Sequence, residues 1–453
     1  MGAATATGTP EHATTDSETT RSGLIAWRDP RLLAAAALLL IVAIAAAIMA
    51  QPLGLPADLL AVWTAGEYWQ MGRVDEVYPT ATGLFTMLPP ESWVPWLDET
   101  QGYRASVYPF LYPPLWAVVM GWLAPASFAP VAAVSYWINA GLLAATILLA
   151  IRASGALLNP VLHAVLVVGL FFTTHVASVG FLQGQPHILV GFLIVLAIER
   201  TRAGRGTAAG IALALAASIK LFPAIYVVVW LVRGEKRALL AFAAAGAALA
   251  AASILLAGWP LHRAFLDSVS QMGRTLLLTG NSLSFDAVVG HLFLQGEVQA
   301  VRGPSLDTVN GVREAWLVAP RPALWAAIAN GGLVAALLGI ALAARRASVT
   351  ALYAGLWPAL LTLTVVFTPT GWLYYAIPAA AFAPALFALQ PQTRGAALFL
   401  GGYGLFFAGR LSLFKAPGGL QIPETFFYIA ATLTWGLGFV LLARSLAKNP
   451  RPD

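Results

Sequence analysis

The chain has 453 residues, of which 59% are hydrophobic and 10% charged, with a formal net charge of +6. A soluble domain carries roughly 25% charged residues, so this composition excludes a soluble globular protein and leaves a polytopic membrane protein. With no cysteine, disulfides, thiolate metal sites and a cysteine nucleophile are excluded, and the basic excess reads as the positive-inside bias of membrane spans, not as a nucleic-acid surface.

Residues 1–24 are rich in Thr, Ala, Ser and Gly with scattered charge; they are expected to form a disordered cytoplasmic tail because they cannot bury apolar surface. Arg28 and Arg31 then precede an apolar run at 32–50 and are expected to hold its start inside. The run lacks a small-residue cleavage site and reads as a retained helix. It delivers the polar loop 51–111, the first of two expected outer loops. That loop opens on PADLLAVWTAGEYWQMGRVDEVY at 56–78 and carries Asp58, Glu67, Arg73, Trp63, Trp69, Trp93 and Trp96. Leu59, Val62, Trp63, Gly66 and Trp69 fall on one face at helical spacing, so 58–72 is expected to be a short interfacial helix.

Apolar runs follow at 112–124, 128–151, 160–181 and 185–199, before the basic residues Arg200, Arg202 and Arg205. Four runs cannot join an outer loop to an inner cluster, so one must be broken or re-entrant. The suspect is 112–124, about 20 Å long against a core of roughly 30 Å. Runs 207–219 and 221–233 are just as short, lie between basic clusters, and turn at Lys220-Leu-Phe-Pro223. A break there is tolerated only in a cavity or in packed protein. Further runs at 238–257, 321–343, 349–367, 373–389, 395–410 and 424–443 complete an expected 12–13 membrane segments. The second outer loop is 258–320, and 447–453 is expected to be a cytoplasmic tail.

Four polar groups fall on the expected outer side. Asp58, at the first helix–loop junction, could act as a general base or simply cap the interfacial helix. Gln183, Gly184, Gln185 and His187 could bind sugar hydroxyls or phosphate, or close a helix end. Lys220, inside apolar sequence, is either a cation facing an anionic head group or a snorkelling lysine. The fourth group is TPTGWLYY at 368–375, with Gly280, Asn281 and Ser282. Arg410 and Lys415 are basic on the outer side and could meet a lipid phosphate or anchor at head groups. No phosphate-binding glycine loop and no H-E-x-x-H is present, which leaves soluble-nucleotide and zinc-protease readings without support.

In their order and spacing, these motifs resemble those of the GT-C class of polytopic glycosyltransferases, and within it glycosyltransferase family 87, long called the domain of unknown function 2029. Its members are similar to polyprenol-phosphate-mannose-dependent α-1,2-mannosyltransferases. The resemblance is carried by Asp58, Leu59, Trp63, Ala65, Gly66, Gly72 and Tyr78, then Tyr112 to Leu115, Gly184 and Gln185, Lys220 and Pro223, and Asn281 to Leu283. It ends on Thr368, Pro369, Gly371, Trp372, Tyr374 and Tyr375.

It implies an all-α GT-C-like transmembrane domain over 25–446 with interfacial helices in the first outer loop. It also implies an inverting transfer, on the periplasmic side of a bacterial inner membrane, from a polyprenyl-phosphate sugar to a lipid or glycan acceptor. Asp58 would be the catalytic base. Lys220, Gln183, Gln185, His187, Trp372, Tyr374, Tyr375 and Arg410 would lie toward the donor phosphate, and Trp63, Tyr112 and Asn281 toward acceptor or sugar. No cofactor and no nucleic acid is implied. The family's paired histidines are Tyr374 and Tyr375 here, and tyrosines only donate or accept hydrogen bonds at neutral pH. Two rivals remain open: a lipid or solute transporter, which also uses broken helices, and a non-catalytic subunit of envelope polysaccharide assembly.

Overall fold

The computed structural model describes residues 56–79, 83–123, 127–294, 296–301, 316–411 and 423–448, with isolated helical positions between 32 and 43 and two-residue strands at 308–309 and 312–313. The expected tail at 1–24, most of the first run and Lys415 lie outside the described residues. The chain is an all-α polytopic membrane protein with two small sheets among the described residues, one of three strands and one of two. Among the described residues, five helices are long and apolar enough to cross a membrane, or six if one bent pair is counted as a span.

Helix α1, Ala57–Gln70, packs on α3, Leu115–Leu123. Two glycines make this possible: a Cβ on Gly66 would stand 2.7 Å from the Gly121 backbone nitrogen. The Gln70 amide donates to the Gly121 carbonyl at the same contact. Between them, α2, Trp93–Gln101, closes on a left-handed Gly102. At nine residues, α3 is about 13 Å long and too short to span.

Helix α4, Phe128–Ser154, is a full span. The next apolar run is bent by 63° between α5, Pro160–Thr173, and α6, His175–Leu182. Thr174 is extended at the break, and its side chain accepts the Val176 amide, starting α6. Helix α7, His187–Arg202, returns to the basic cluster, where Glu199 is buried and paired with Arg152 at 2.9 Å and with Arg200.

Helix α8, Gly206–Ile219, stops at Lys220, which is extended at φ −138° and ψ 132°. The chain resumes as a 3-10 turn, Phe222–Tyr226, and α9, Val227–Arg233. Pro223 sits in that first turn, where its missing N–H costs nothing, and it could not have continued α8. Helix α10, Lys236–Gly273, kinks at Gly258 (φ 78°, ψ 159°) ahead of Pro260. His262 bridges the kink, its ring nitrogens meeting the Gly258 carbonyl at 2.7 Å and the Ser253 hydroxyl at 2.9 Å.

The expected outer loop at 258–320 contains a sheet that its sequence does not announce. Strands β1, Thr275–Leu278, β2, Gln299–Val301, and β3, Trp316–Pro320, form an antiparallel sheet with β3 in the middle. Helix α11, Phe285–Phe293, packs on β1. A buried ion pair, Asp286 with Arg321 at 3.1 Å, ties α11 to the end of β3. After the sheet come α12, Ala323–Arg345; α13, Val349–Phe367, with a π-turn at Leu352–Leu356; α14, Leu373–Ala388; α15, Gln392–Leu411; and α16, Glu424–Lys448. The last helix thus passes the expected boundary at 446. Helix α13 is buried along nearly its whole length, while Leu255 on α10 and Leu324 on α12 are 83% and 75% exposed. Such exposed apolar faces belong against lipid.

Gly66→Val forces α1 and α3 apart. The strain of overpacking is about 1–3 kcal/mol, and the unfolding midpoint of the purified protein falls accordingly; an unchanged midpoint would mean that the two helices do not touch.

Candidate active site

Asp58 stands in the first turn of α1, but it is not the cap. The N-cap position is Pro56, and no side chain caps the helix. The free amides of Asp58 and Leu59 instead donate to the Gln183 carbonyl, at 3.1 and 3.3 Å. The α6–α7 turn therefore holds the helix start, and the Asp58 carboxylate is left for other partners. Gly184 makes the turn possible: its φ is +61°, and a Cβ there would lie 2.7 Å from Pro56 Cβ.

The same turn presents Gln185. Its Nε2 donates to Asp58 Oδ2 at 2.8 Å and to the Tyr374 hydroxyl at 2.9 Å. Its Oε1 accepts from the Tyr112 hydroxyl at 2.5 Å. Lys220 comes to the same cluster from the break after α8. Its Nζ donates to the Tyr375 hydroxyl at 3.2 Å and lies 4.9, 5.3 and 5.5 Å from the ring centres of Tyr375, Tyr112 and Tyr374. Ring faces carry negative charge and partly replace the water the ammonium has lost. His187, fully buried, stacks on Tyr375 at 4.1 Å and on Phe222 at 5.8 Å. Neither ring nitrogen has a partner among the described residues, and His187 meets the cluster through its ring face.

The residues 371–373 are held by the chain after β1. Leu373 N donates to the Asn281 carbonyl at 3.0 Å, Leu283 N donates to the Gly371 carbonyl at 2.5 Å, and Ser282 pairs with Trp372 as an isolated bridge. Trp372 stacks on Tyr374 at 6.3 Å. Behind them, Gly180 of α6 gives room for Tyr374, whose Cβ would be 3.0 Å from a Cβ there. The result is a cavity of about 90 Å³ lined by Asp58, Gln183, Tyr374, Trp372 and Asn281, and also by Met87, Tyr108, Thr279 and Trp316. These last four were not singled out in the sequence. Tyr108 lies four residues before Tyr112, while Thr279 and Trp316 reach the cavity through the sheet.

Helix α1 is not among the spanning helices. Within it, burial pushes the Asp58 carboxyl up to about 7, against the opposing pull of the Lys220 charge and the Gln185 hydrogen bond. A carboxyl poised near neutrality is suited to take and return a proton.

Two expected site residues are elsewhere. Trp63 is fully buried in the core, with ring centres 5.8 Å from Trp96 and 5.6 Å from Phe128. It does not line the cavity that Asp58 lines. Arg410 donates to the Phe172 carbonyl at the end of α5, and no contact among the described residues joins it to the cluster around Asp58.

Alongside the cluster runs an apolar groove of about 560 Å³, between α3, α4 and α7. Tyr112, Leu59 and Gly184 form its end nearest Asp58, and Trp116, Val134 and Ile138 its length.

The family model described as glycosyltransferase family 87 matches residues 110–369, more than half of the chain. The match covers Tyr112, Gln185, Lys220 and Asn281, while Asp58 precedes it and Tyr374 follows it. No curated protein matches the chain.

Gly184→Ala puts a side chain into a left-handed turn and against Pro56. The strain is about 1–3 kcal/mol and shows as a lower unfolding midpoint; a midpoint equal to that of the native protein would mean that the turn does not bear on α1.

Proposed function

The chain belongs to glycosyltransferase family 87, and from that premise we propose that it transfers a sugar from a polyprenyl-phosphate donor to a hydroxyl of a lipid or glycan acceptor, with Asp58 as general base. The observation that carries this reading is the meeting of Asp58 and Lys220 around one glutamine and three tyrosines. A base and a cation joined to one cluster of side chains are what a single displacement at a sugar phosphate requires.

In this reading the acceptor oxygen attacks the anomeric carbon as its proton passes to Asp58. The bond between that carbon and the phosphate oxygen breaks on the opposite side, so the configuration inverts. The electron pair leaves with the phosphate, which is already anionic and needs little acid help. Lys220 stabilises the charge that grows on it, and a fixed cation in a water-poor site does this without reorganising solvent. One carboxylate can therefore suffice, whereas glycoside hydrolysis ordinarily uses two.

The apolar groove ending at Tyr112 supports a lipid-borne donor, since a polyprenyl tail could lie there with its phosphate toward Lys220. Donor chemistry of this kind needs no nucleotide site. In the same reading the membrane is a bacterial inner membrane and the cavity opens on its outer side. Gln183, Trp372 and Asn281 line the cavity and contact the sugar or the acceptor. Arg410 and Trp63 have no part in it.

Asp58→Asn keeps the shape and removes the base. Transfer from polyprenyl-phosphate sugars falls by about 10²–10⁴-fold, while gel filtration shows a folded protein; a variant with native activity refutes the assignment. Because burial raises the Asp58 carboxyl to about 7, the group is protonated in acid and ionised in alkali. On the acid side the transfer rate therefore climbs as pH rises toward about 7, and the absence of an acid limb below neutrality argues against Asp58 as the titrating base.

A further inference from the structure

Resting on the reading of Asp58 as the base, we propose that Gln185 is the positioning residue of the site: its carboxamide selects which Asp58 oxygen takes the proton and turns the Tyr374 hydroxyl proton toward the bound donor. Two groups of fixed polarity set the direction of the amide. The backbone N–H of His187 can only donate, and it faces Gln185 Oε1 at 3.4 Å. The ionised Asp58 carboxylate can only accept, and it faces Nε2 at 2.8 Å. Exchanging the amide oxygen and nitrogen would set donor against donor at one end and acceptor against acceptor at the other.

The remaining directions are then fixed. The Tyr112 hydroxyl, 2.5 Å from Oε1, must donate. Nε2 has two hydrogens, one for Asp58 Oδ2 and one for the Tyr374 oxygen at 2.9 Å. Tyr374 accepts at that contact, so its own proton points elsewhere. No other hydrogen bond to the Tyr374 hydroxyl or to Asp58 Oδ1 is made among the described residues, and both side chains line the same cavity. Oδ2 is thus engaged, and Oδ1 is the atom that takes the proton of the acceptor hydroxyl. Tyr374 gives a hydrogen bond to an oxygen of the donor. The resemblance places Gln185 beside the phosphate; the geometry assigns it to the base instead. The backbone carbonyl of Gln183 and the amide of Gln185 grip the main chain and the carboxylate of Asp58 from a single turn.

The test is steady-state kinetics of the purified full chain in detergent. The donors are radiolabelled polyprenyl-phosphate mannose, with glucose and arabinose analogues in parallel arms, and a membrane extract supplies acceptors. Gln185→Leu removes all four hydrogen bonds of the carboxamide at similar volume. Its kcat falls about 100-fold, as expected of a reacting group misplaced by an ångström, while KM for the donor stays within about threefold. Gln185→Glu sets a second carboxylate against the first, among Lys220, His187, Tyr112, Tyr374 and Tyr375, and moves the acid limb of kcat to higher pH. Tyr374→Phe lowers kcat/KM about 10-fold without moving that limb.

If Gln185→Leu raises KM and leaves kcat intact, Gln185 is a substrate contact and the proposal is wrong. An acid limb unmoved in Gln185→Glu is equally fatal. Should Gln185→Leu not fold, the isosteric Gln185→Glu alone decides. Asp58→Asn in the same assay keeps the two questions apart: native activity there removes the base, whereas an inactive Asp58→Asn beside unaltered Gln185 variants removes only the role of Gln185.

Discussion

Asp58 and Lys220 bring a carboxyl and an amine to one cluster, joined through Gln185 and three tyrosines, and the surrounding structure answers to that constraint. Burying a charged side chain is costly unless it is paired or hydrogen-bonded. Neither residue is buried alone. The ammonium has a hydroxyl at 3.2 Å and three aromatic faces within 5.5 Å. The carboxylate has an amide donor at 2.8 Å. Such partners compensate part of the lost hydration, and the residual strain leaves Asp58 close to the boundary between its two protonation states.

None of the elements that meet there could form the cluster by itself. The carboxylate stands on α1, the lysine at the break after α8, the glutamine at the α6–α7 turn and the tyrosines at the start of α14 and before α3. What brings them together is close backbone approach. Gly66 lies against Gly121, Gly180 against Tyr374, and Gly371 would place a Cβ 2.6 Å from the Val365 carbonyl. The small sheet adds a wall through Trp316 and anchors the chain that carries Asn281.

Much of this was legible in the sequence, for identifiable reasons. Apolar runs with basic flanks marked the helices, usually within a few residues: 349–367 is reproduced at both ends, and 128–151 falls three short of Ser154. Lys220 stood out because a lone cation in apolar sequence is costly anywhere. Three things were hidden. The 63° bend at Thr174 is marked only by Thr173, Thr174 and His175, a short polar step that an unbroken membrane helix could also carry. The strands Thr275–Leu278 and Trp316–Pro320 are short apolar runs that could equally be helix ends. Trp63 carries the same signature as the cavity-lining Trp316 and Trp372, yet it fills the core. Asp58 as a helix cap was reasonable on propensity, and it fails because a carbonyl from the distant α6–α7 turn does that job.

The apolar groove lies between helices whose flanks face hydrocarbon, with Val134 and Ile138 of α4 more than half exposed along it. A ligand taken from such a trough arrives by two-dimensional diffusion, and its occupancy follows mole fraction in the bilayer, not molarity in the buffer. Detergent monomers compete for the same surface, so surface dilution in micelles would inflate any apparent Michaelis constant. Leaflet fluidity would then govern supply and exit together, making the acyl composition of the surrounding membrane a kinetic variable.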